Sequence, residues 1–183
     1  NATVEKMRAN QEVQDILLAL GCGAGRGYDH DKLRYERIVI MTDADVDGAH
    51  IASLLITFFY REMPELIRGG HLFLAVPPLY RLSQGGKTLY ARDDAHKDEL
   101  METVFKGKSK VEIGRFKGLG EMLPAQLKET TMDPSKRTML KVVVEEEAVT
   151  DTNDTVERLM GNKPEARFRF IQDNAEFAED LDI

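Results

Sequence analysis

The chain has 183 residues, of which 42% are hydrophobic and 31% are charged, with a net charge of -7. This length fits one domain, or one domain with an appendage, and the hydrophobic share is enough for a packed core. No long uncharged apolar run is present, which excludes a membrane-spanning helix. The single cysteine, Cys22, excludes an internal disulfide and a cysteine-rich metal site. We expect Cys22 to be a buried apolar residue, and we expect a cytoplasmic protein without a signal peptide.

The amino-terminal half predicts a strand, a helix and a second strand. Helically spaced apolar residues predict a first helix from Val4 to Leu20. The β-branched run Arg37–Thr42 predicts a buried strand. The apolar face of residues 49–68 predicts a long helix that belongs to the core, and His71–Val76 predicts the second strand. Short links between these elements indicate a parallel βαβ unit.

The carboxyl half predicts further elements of both kinds. In chain order they are a hairpin over Tyr80–Tyr90 with its turn at Gly85 and Gly86, a helix over Asp94–Phe105, a strand over Val111–Phe116, a short helix opened by Pro124, a strand over Met139–Val144, and helices over Asp154–Met160 and Pro164–Phe177.

The negative charge is concentrated at the carboxyl end. Residues 142–183 carry 4 Lys+Arg and 12 Asp+Glu, a net of -8, which leaves residues 1–141 with a net of +1. The segment from Lys106 to Lys117 is basic. Because local charge decides contacts with phosphates, the overall acidity does not exclude nucleic acid as a partner.

Three aspartates, Asp43, Asp45 and Asp47, follow the first predicted strand and are followed by Gly48 and the long helix. Open α/β sheets bind ligands at the carboxyl ends of their parallel strands. Three carboxylates this close repel one another, and burying them together is costly unless a cation neutralises them. A hard divalent ion with oxygen ligands matches them best. A solvated acidic turn is the rival interpretation, but the apolar strand before the triad favours a partly buried metal site.

An EF-hand calcium loop would also begin with aspartates at positions 1, 3 and 5 and glycine at position 6. That loop requires a glutamate at position 12, where this chain has Leu54. The segment before the triad also has the pattern of a strand, whereas a helix precedes an EF-hand loop. We therefore exclude this type of site.

A second motif, Lys117-Gly-Leu-Gly-Glu121, places two glycines between a basic residue and a carboxylate. Paired glycines alone indicate only a tight turn. The basic neighbours Lys106, Lys108, Lys110 and Arg115 make a phosphate-facing loop a reasonable interpretation.

With both motifs in view, the sequence resembles the B subunits of bacterial type IIA topoisomerases, gyrase and topoisomerase IV. The resemblance implies an α/β fold, the TOPRIM (Rossmann-like) parallel sheet flanked by helices over residues 1–122, with a short, mostly helical C-terminal tail over 123–183. The stretches that carry it are LRYERIVIMTDADVDGAHI (33–51), TFFYREMPELI (57–67), VPPLYR (76–81), RFKGLGEM (115–122), QLKETTMDP (126–134) and the closing LMG, FIQDNA and LDI.

The resemblance also implies a function. In this family the B subunit supplies Mg²⁺ for cutting and rejoining double-stranded DNA, and the nucleophilic tyrosine lies on an A subunit in an A2B2 heterotetramer. An N-terminal domain absent from this sequence uses ATP. By motif, Asp43, Asp45 and Asp47 match the family's catalytic, metal-binding triad. Asp43 and Asp45 would hold the main ion, and Asp45 and Asp47 a second one.

Two family motifs, E-G-D-S-A and P-L-R/K-G-K, do not occur in this sequence. The first would supply a fourth metal-site carboxylate, so we expect that this chain alone does not support cleavage. Arg115, Lys117 and His50 are candidates for contacts with DNA; the rival interpretation is that they are surface residues.

Three alternatives stay open. The ending KPEARFRFIQDNAEF and the stretch Val76–Tyr80 favour topoisomerase IV over gyrase. Another TOPRIM protein, such as a primase or a nuclease, is disfavoured by the QLKETTMDP segment. From a different class, the chain could be a non-catalytic module that binds DNA or another subunit.

Overall fold

The computed structural model describes residues 9–43, 45–106 and 110–175, and these form two compact units. One unit holds the described residues up to Glu36, Ile56–Gly69 and those from Val143 onward. The other holds the described residues of Arg37–Leu55 and Gly70–Val142. Helices and strands alternate through much of the chain, and the predicted α/β class is confirmed.

The regular elements are as follows. The helices are α1 (Gln11–Leu20), α2 (Val46–Glu62), α3 (Pro64–Arg68), α4 (Asp94–Thr103), α5 (Pro124–Leu127), α6 (Val149–Met160) and α7 (Pro164–Asn174). The strands are β1 (Ile38–Ile40), β2 (Leu72–Ala75), β3 (Tyr80–Gln84), β4 (Lys87–Ala91), β5 (Glu112–Arg115) and β6 (Met139–Lys141).

A three-stranded sheet in the order β1-β2-β6 carries the predicted βαβ unit. Strands β1 and β2 are parallel, with Ile38 opposite Leu72, as the sequence predicts. Strand β6 is antiparallel to β2, with Phe73 opposite Lys141. The sheet is therefore mixed rather than purely parallel. Strand β6 comes from the segment 123–183 that we expect to be a tail, and the boundary at residue 122 stays a prediction.

A second, antiparallel sheet has the order β4-β3-β5. Gly85 and Gly86 connect β3 to β4 with φ angles of 56° and 82°. Positive φ at both central residues is the hairpin turn that suits the twist of the strands, and glycine adopts it without steric cost. Beneath this sheet lies a buried cluster of apolar side chains, formed by Tyr80, Leu82, Ala91 and Phe105.

Two predicted helices are interrupted where their apolar spacing continues. Asn10 is extended and caps α1, its side chain accepting the Val13 N–H at 2.9 Å, so the predicted single helix from residue 4 is wrong at this point. Residues 4–8 of that prediction lie outside the described residues. The predicted helix to Arg68 is broken at Met63, which has φ -143° and ψ 55°. Pro64 excludes helical geometry from the residue before it and opens α3 instead.

The prediction that the whole apolar face of residues 49–68 belongs to the core is wrong for its first half. Phe59, Met63 and Leu66 are buried, but Ile51 and Leu54 are about half exposed, at 51% and 48%. Helix α6 begins at Val149, five residues before the predicted start. The end of the last predicted helix, residues 176–177, lies outside the described residues.

Polar contacts within the first unit join the end of α2 to α6. Tyr60 donates a hydrogen bond to Asn153 at 2.8 Å, and Arg61 pairs with Glu157 at 3.0 Å. Cys22 is buried as expected, and burial raises the pKa of its thiol. No helix in the described parts of the chain has the length and apolarity needed to cross a bilayer.

Candidate metal centre

The three aspartates lie where β1 ends and α2 begins, as the sequence predicts. Asp45 immediately precedes α2. Its Oδ1 accepts the Gly48 N–H at 2.7 Å, and its carbonyl oxygen accepts the Ala49 N–H at 3.0 Å. This is the bonding of a helix N-cap. The side chain of Asp45 therefore fixes the start of α2, a role that we did not predict from the sequence.

Gly48 is required by the close approach of α2 to the end of β1. A Cβ at this position would lie 2.1 Å from the carbonyl oxygen of Asp43, well inside contact distance. The atom that it would meet belongs to the main chain, so no side-chain movement could relieve the overlap. The absence of a side chain at Gly48 thus lets the first turn of α2 lie against the main chain of Asp43, three residues after the end of β1.

The Lys117–Glu121 loop follows β5 and is held at both ends. The Phe116 N–H donates to the carbonyl oxygen of Leu79 at 2.8 Å, and the Lys117 N–H donates to the Glu121 carboxylate at 2.8 Å. Residues Leu119–Glu121 form a 3₁₀ turn, and Met122 beyond them is buried. The second motif is therefore an anchored turn.

The two motifs meet at Asp43. The Leu119 N–H donates to Asp43 Oδ1 at 2.6 Å, although the two residues are 76 positions apart. Gly118 lies so close that an added Cβ would be 2.9 Å from both Cγ and Oδ1 of Asp43. We did not predict this contact, because no local pattern signals that the loop reaches the first aspartate.

The triad is more open than expected. Asp43, Asp45 and Asp47 are all exposed, so the expectation of partial burial is wrong. Within the described ranges, no group of three or more His, Cys, Asp or Glu side chains is arranged to hold a metal ion. Their chemistry nevertheless fits a hard divalent cation, because carboxylate oxygens are its preferred ligands. Asp43 and Asp45 each accept these bonds through Oδ1, which leaves Oδ2 for a cation.

Among the described residues, three clefts have volumes of about 510–520 Å³, which is the range of small-molecule sites. Their linings include Tyr60 and Arg68 in one unit, and in the other unit Arg92 for one cleft and Met132 for another. No triad residue lines any of these three clefts. Small ligands are usually enclosed in such clefts, whereas the three aspartates are exposed.

The candidate DNA-contacting residues are exposed. His50 lies in the first turns of α2, three residues after Asp47, so the two share a helix face. Arg115 ends β5 and Lys117 begins the loop that contacts Asp43. All three have accessible side chains, and their contacts with DNA stay predictions. Lys108 of the basic stretch lies outside the described residues.

Sequence comparisons place this site in a family. Residues 2–76 match the Toprim domain, and residues 108–172 match the family described as DNA gyrase B subunit, carboxyl terminus. The B subunit of DNA topoisomerase 4 from Caulobacter vibrioides is 70% identical over 186 residues, and that from Bartonella bacilliformis is 65% identical over 183 residues. The chain belongs to the B-subunit family of bacterial type IIA topoisomerases. Each of these alignments covers 100% of this chain and 26% of the relative.

Similarity within the family favours the topoisomerase IV branch. The B subunit of DNA gyrase from Halalkalibacterium halodurans is 49% identical over 182 residues, with 100% of this chain and 28% of the relative covered. This identity is lower than that of the two topoisomerase 4 relatives, which agrees with the preference drawn from the sequence. The chain spans about a quarter of the length of these curated relatives.

Proposed function

We propose that this chain is the magnesium-binding part of a type IIA DNA topoisomerase. It would support ATP-dependent double-strand cleavage, strand passage and religation together with the tyrosine of an A subunit. The observation that carries the proposal is the hydrogen bond from the Leu119 N–H to Asp43, because it joins the basic loop to the carboxylate triad. The carboxylates that we propose as cation ligands and the loop that we propose as a phosphate contact are thus linked by a direct bond.

The chemistry of the triad supports a divalent ion. Asp43 and Asp45 are the proposed ligands of the main ion, and Asp45 and Asp47 those of a second. When bound, Mg²⁺ would stabilise negative charge on the scissile phosphate and on the leaving ribose oxygen. Because Asp45 also caps α2, its Oδ1 is fixed in direction by the Gly48 N–H, and this orients Oδ2 before any ion arrives.

Three exposed basic residues support DNA as the substrate. Lys117 begins the loop whose Leu119 contacts Asp43, Arg115 ends the strand before that loop, and His50 lies on the helix that follows Asp43. Basic side chains bind phosphates and fix the register of a duplex without reading its sequence. We propose the A2B2 heterotetramer as the assembly, with ATP held by another part of the full-length protein. With DNA as its substrate, the activity belongs in the bacterial cytoplasm, at the nucleoid.

Calorimetric titration of the 183-residue chain with Mg²⁺ tests the metal site. Asp45→Asn removes the charge but keeps the helix cap, since asparagine caps as well as aspartate. We expect it to weaken Mg²⁺ binding by about tenfold or more, a loss of about 1.4 kcal/mol. Asp93→Asn is the matched control, because Asp93 caps α4 in the same way, accepting the His96 N–H at 2.7 Å. Equal binding by wild type and Asp45→Asn would contradict the assignment.

Activity tests address the remaining steps. The isolated chain, mixed with DNA and an A subunit, is expected to give no Mg²⁺-dependent double-strand breaks; recovering them would refute this expectation. For the full enzyme we propose decatenation and relaxation, and negative supercoiling would instead favour gyrase. Association with DNA or with an A subunit, in the absence of any Mg²⁺ binding, would favour a non-catalytic module.

A further inference from the structure

We infer that the Gly118–Leu119 peptide is a positioning element for the metal ligand Asp43, and that glycine stands at position 118 to leave room for the carboxylate. The inference deepens the proposed function, on which it rests. It gives the backbone of the loop a role in orienting a metal ligand, whereas the proposed function uses the same contact only to place the basic loop beside the triad.

The backbone conformation at position 118 does not require a glycine there. Its φ of -164° and ψ of 175° are extended, and any residue adopts them. The lack of space for a side chain does require glycine, because a Cβ at position 118 would lie 2.9 Å from Asp43 Cγ and Oδ1, and 3.2 Å from Oδ2. Gly120, two residues later in the same motif, has nothing within 4 Å of its Cβ position. The steric requirement therefore applies to one glycine of the motif and not to the other.

The donor that orients Asp43 is held in place by contacts that do not involve the carboxylate. The Leu119 N–H is the first of a 3₁₀ turn, and the loop is anchored by the bond from Phe116 to Leu79 and by the bond from Lys117 to Glu121. A hydrogen bond to an ionised carboxylate is stronger than one between neutral groups. The bond from the Leu119 N–H is 2.6 Å long, and it holds Oδ1 of Asp43 towards the loop.

With Oδ1 fixed, Oδ2 of Asp43 keeps one direction at the end of β1. Groups that orient a metal ligand in this way typically contribute about 10- to 100-fold to metal affinity. Alanine at position 118 would displace a flexible carboxylate rather than main-chain atoms. The carboxylate can swing away, so the fold is kept and the orientation is lost.

The test uses three variants of the full chain. Gly118→Ala displaces the carboxylate, and Leu119→Pro removes the donor at the first position of a turn that tolerates proline. Gly120→Ala is the control. We expect the first two to weaken Mg²⁺ binding by about tenfold, with circular dichroism spectra like that of wild type, and Gly120→Ala to bind as wild type does. Either variant that keeps its fold and its wild-type affinity would overturn the inference.

A double-mutant cycle separates positioning from a general structural effect. In the Asp43→Ala background, Gly118→Ala should cause no further loss of affinity, because no carboxylate remains to be displaced. Equal losses in the two backgrounds would overturn the inference.

The Leu119 amide resonance in ¹H–¹⁵N spectra gives a readout without metal, and it should shift in both Gly118→Ala and Asp43→Ala. If the resonance shifts but wild type binds no Mg²⁺, the proposed metal site fails while the loop contact stands. Wild-type binding that neither loop variant changes would overturn the positioning role alone.

Discussion

The Gly48→Ala substitution sets two effects of one methyl group against each other at the start of α2. In an ordinary helix, alanine is favoured over glycine by about 1 kcal/mol. Here the added Cβ would lie 2.1 Å from the Asp43 carbonyl oxygen and 2.8 Å from its carbonyl carbon. Both atoms belong to the main chain, so the overlap is relieved only if the end of β1 or the first turn of α2 moves.

The steric effect should be the larger one. Overpacking of this kind costs about 3 kcal/mol at the upper end of its usual range. Subtracting the gain in helix propensity leaves a net destabilisation of about 2 kcal/mol. For a chain of this size, that corresponds to a fall in Tm of about 4–8 °C.

Thermal and urea unfolding followed by far-ultraviolet circular dichroism measure the difference. Gly120→Ala is the matched control, because its Cβ would meet nothing within 4 Å. Its free energy of unfolding should stay within about 0.5 kcal/mol of wild type. A Tm for Gly48→Ala at or above that of wild type would refute the reasoning, since helix propensity would then outweigh the overlap.

Three further predictions concern other parts of the chain. Asn10→Ala removes the side chain that accepts a backbone N–H of α1 at 2.9 Å; urea unfolding should show a loss of about 1 kcal/mol, and an unchanged midpoint would mean that the cap does not stabilise the fold. Burial raises the pKa of Tyr28 from 10.0 to about 12, so the folded state favours the neutral phenol and stability should be lost as the pH rises from about 10 to about 12; the chain has five tyrosines, so the phenolate absorbance of Tyr28 is taken as the difference between wild type and Tyr28→Phe, and a difference that rises near pH 10 in the folded chain would contradict this. Hydrogen bonds from Lys97 and then Tyr80 hold the pKa of Asp94 below its ordinary value, so its contribution to stability is present above that value and is lost as the pH falls through the folded pKa. Tyr80→Phe should raise this pKa towards the ordinary value in a carboxyl-carbon NMR titration, and an unchanged titration would remove Tyr80 as a cause.

Local patterns were sufficient for much of the fold. The β-branched run before the triad predicts β1, and the Gly85-Gly86 pair predicts the hairpin turn. Both predictions succeed because a short strand and a tight turn are decided by residues that are adjacent in the sequence. The two missed interruptions have different causes. Asn10 caps a helix inside an apolar pattern that continues across it, so periodicity alone conceals it. Pro64 is a helix-breaking signal within the sequence, and the apolar spacing that continues past it does not keep the helix intact.

The candidate site was predictable in position but not in its contacts. The triad lies at the strand-to-helix junction, as its local pattern predicts. The bond from Leu119 to Asp43 joins residues 76 positions apart, and no local pattern encodes it. The exposure of Asp43, Asp45 and Asp47 also depends on residues distant in the sequence, so the local pattern does not predict it. An apolar strand before an acidic residue sets where the residue lies along the chain, but burial depends on what packs over it.

Strand β6 also has a consequence for how the chain is made. Its residues pair with β2, so the first sheet is incomplete until the ribosome has added Lys141. Until then, one edge of β2 presents unpaired N–H and carbonyl groups, and exposed edges of this kind pair readily with other chains. The antiparallel hairpin of β3 and β4 is synthesised in the interval and needs no later residue to pair its strands. We therefore expect nascent chains that stall before residue 139 to contain the folded β3–β4 hairpin. We also expect the unpaired edge of β2 in these chains to associate with strands of other chains.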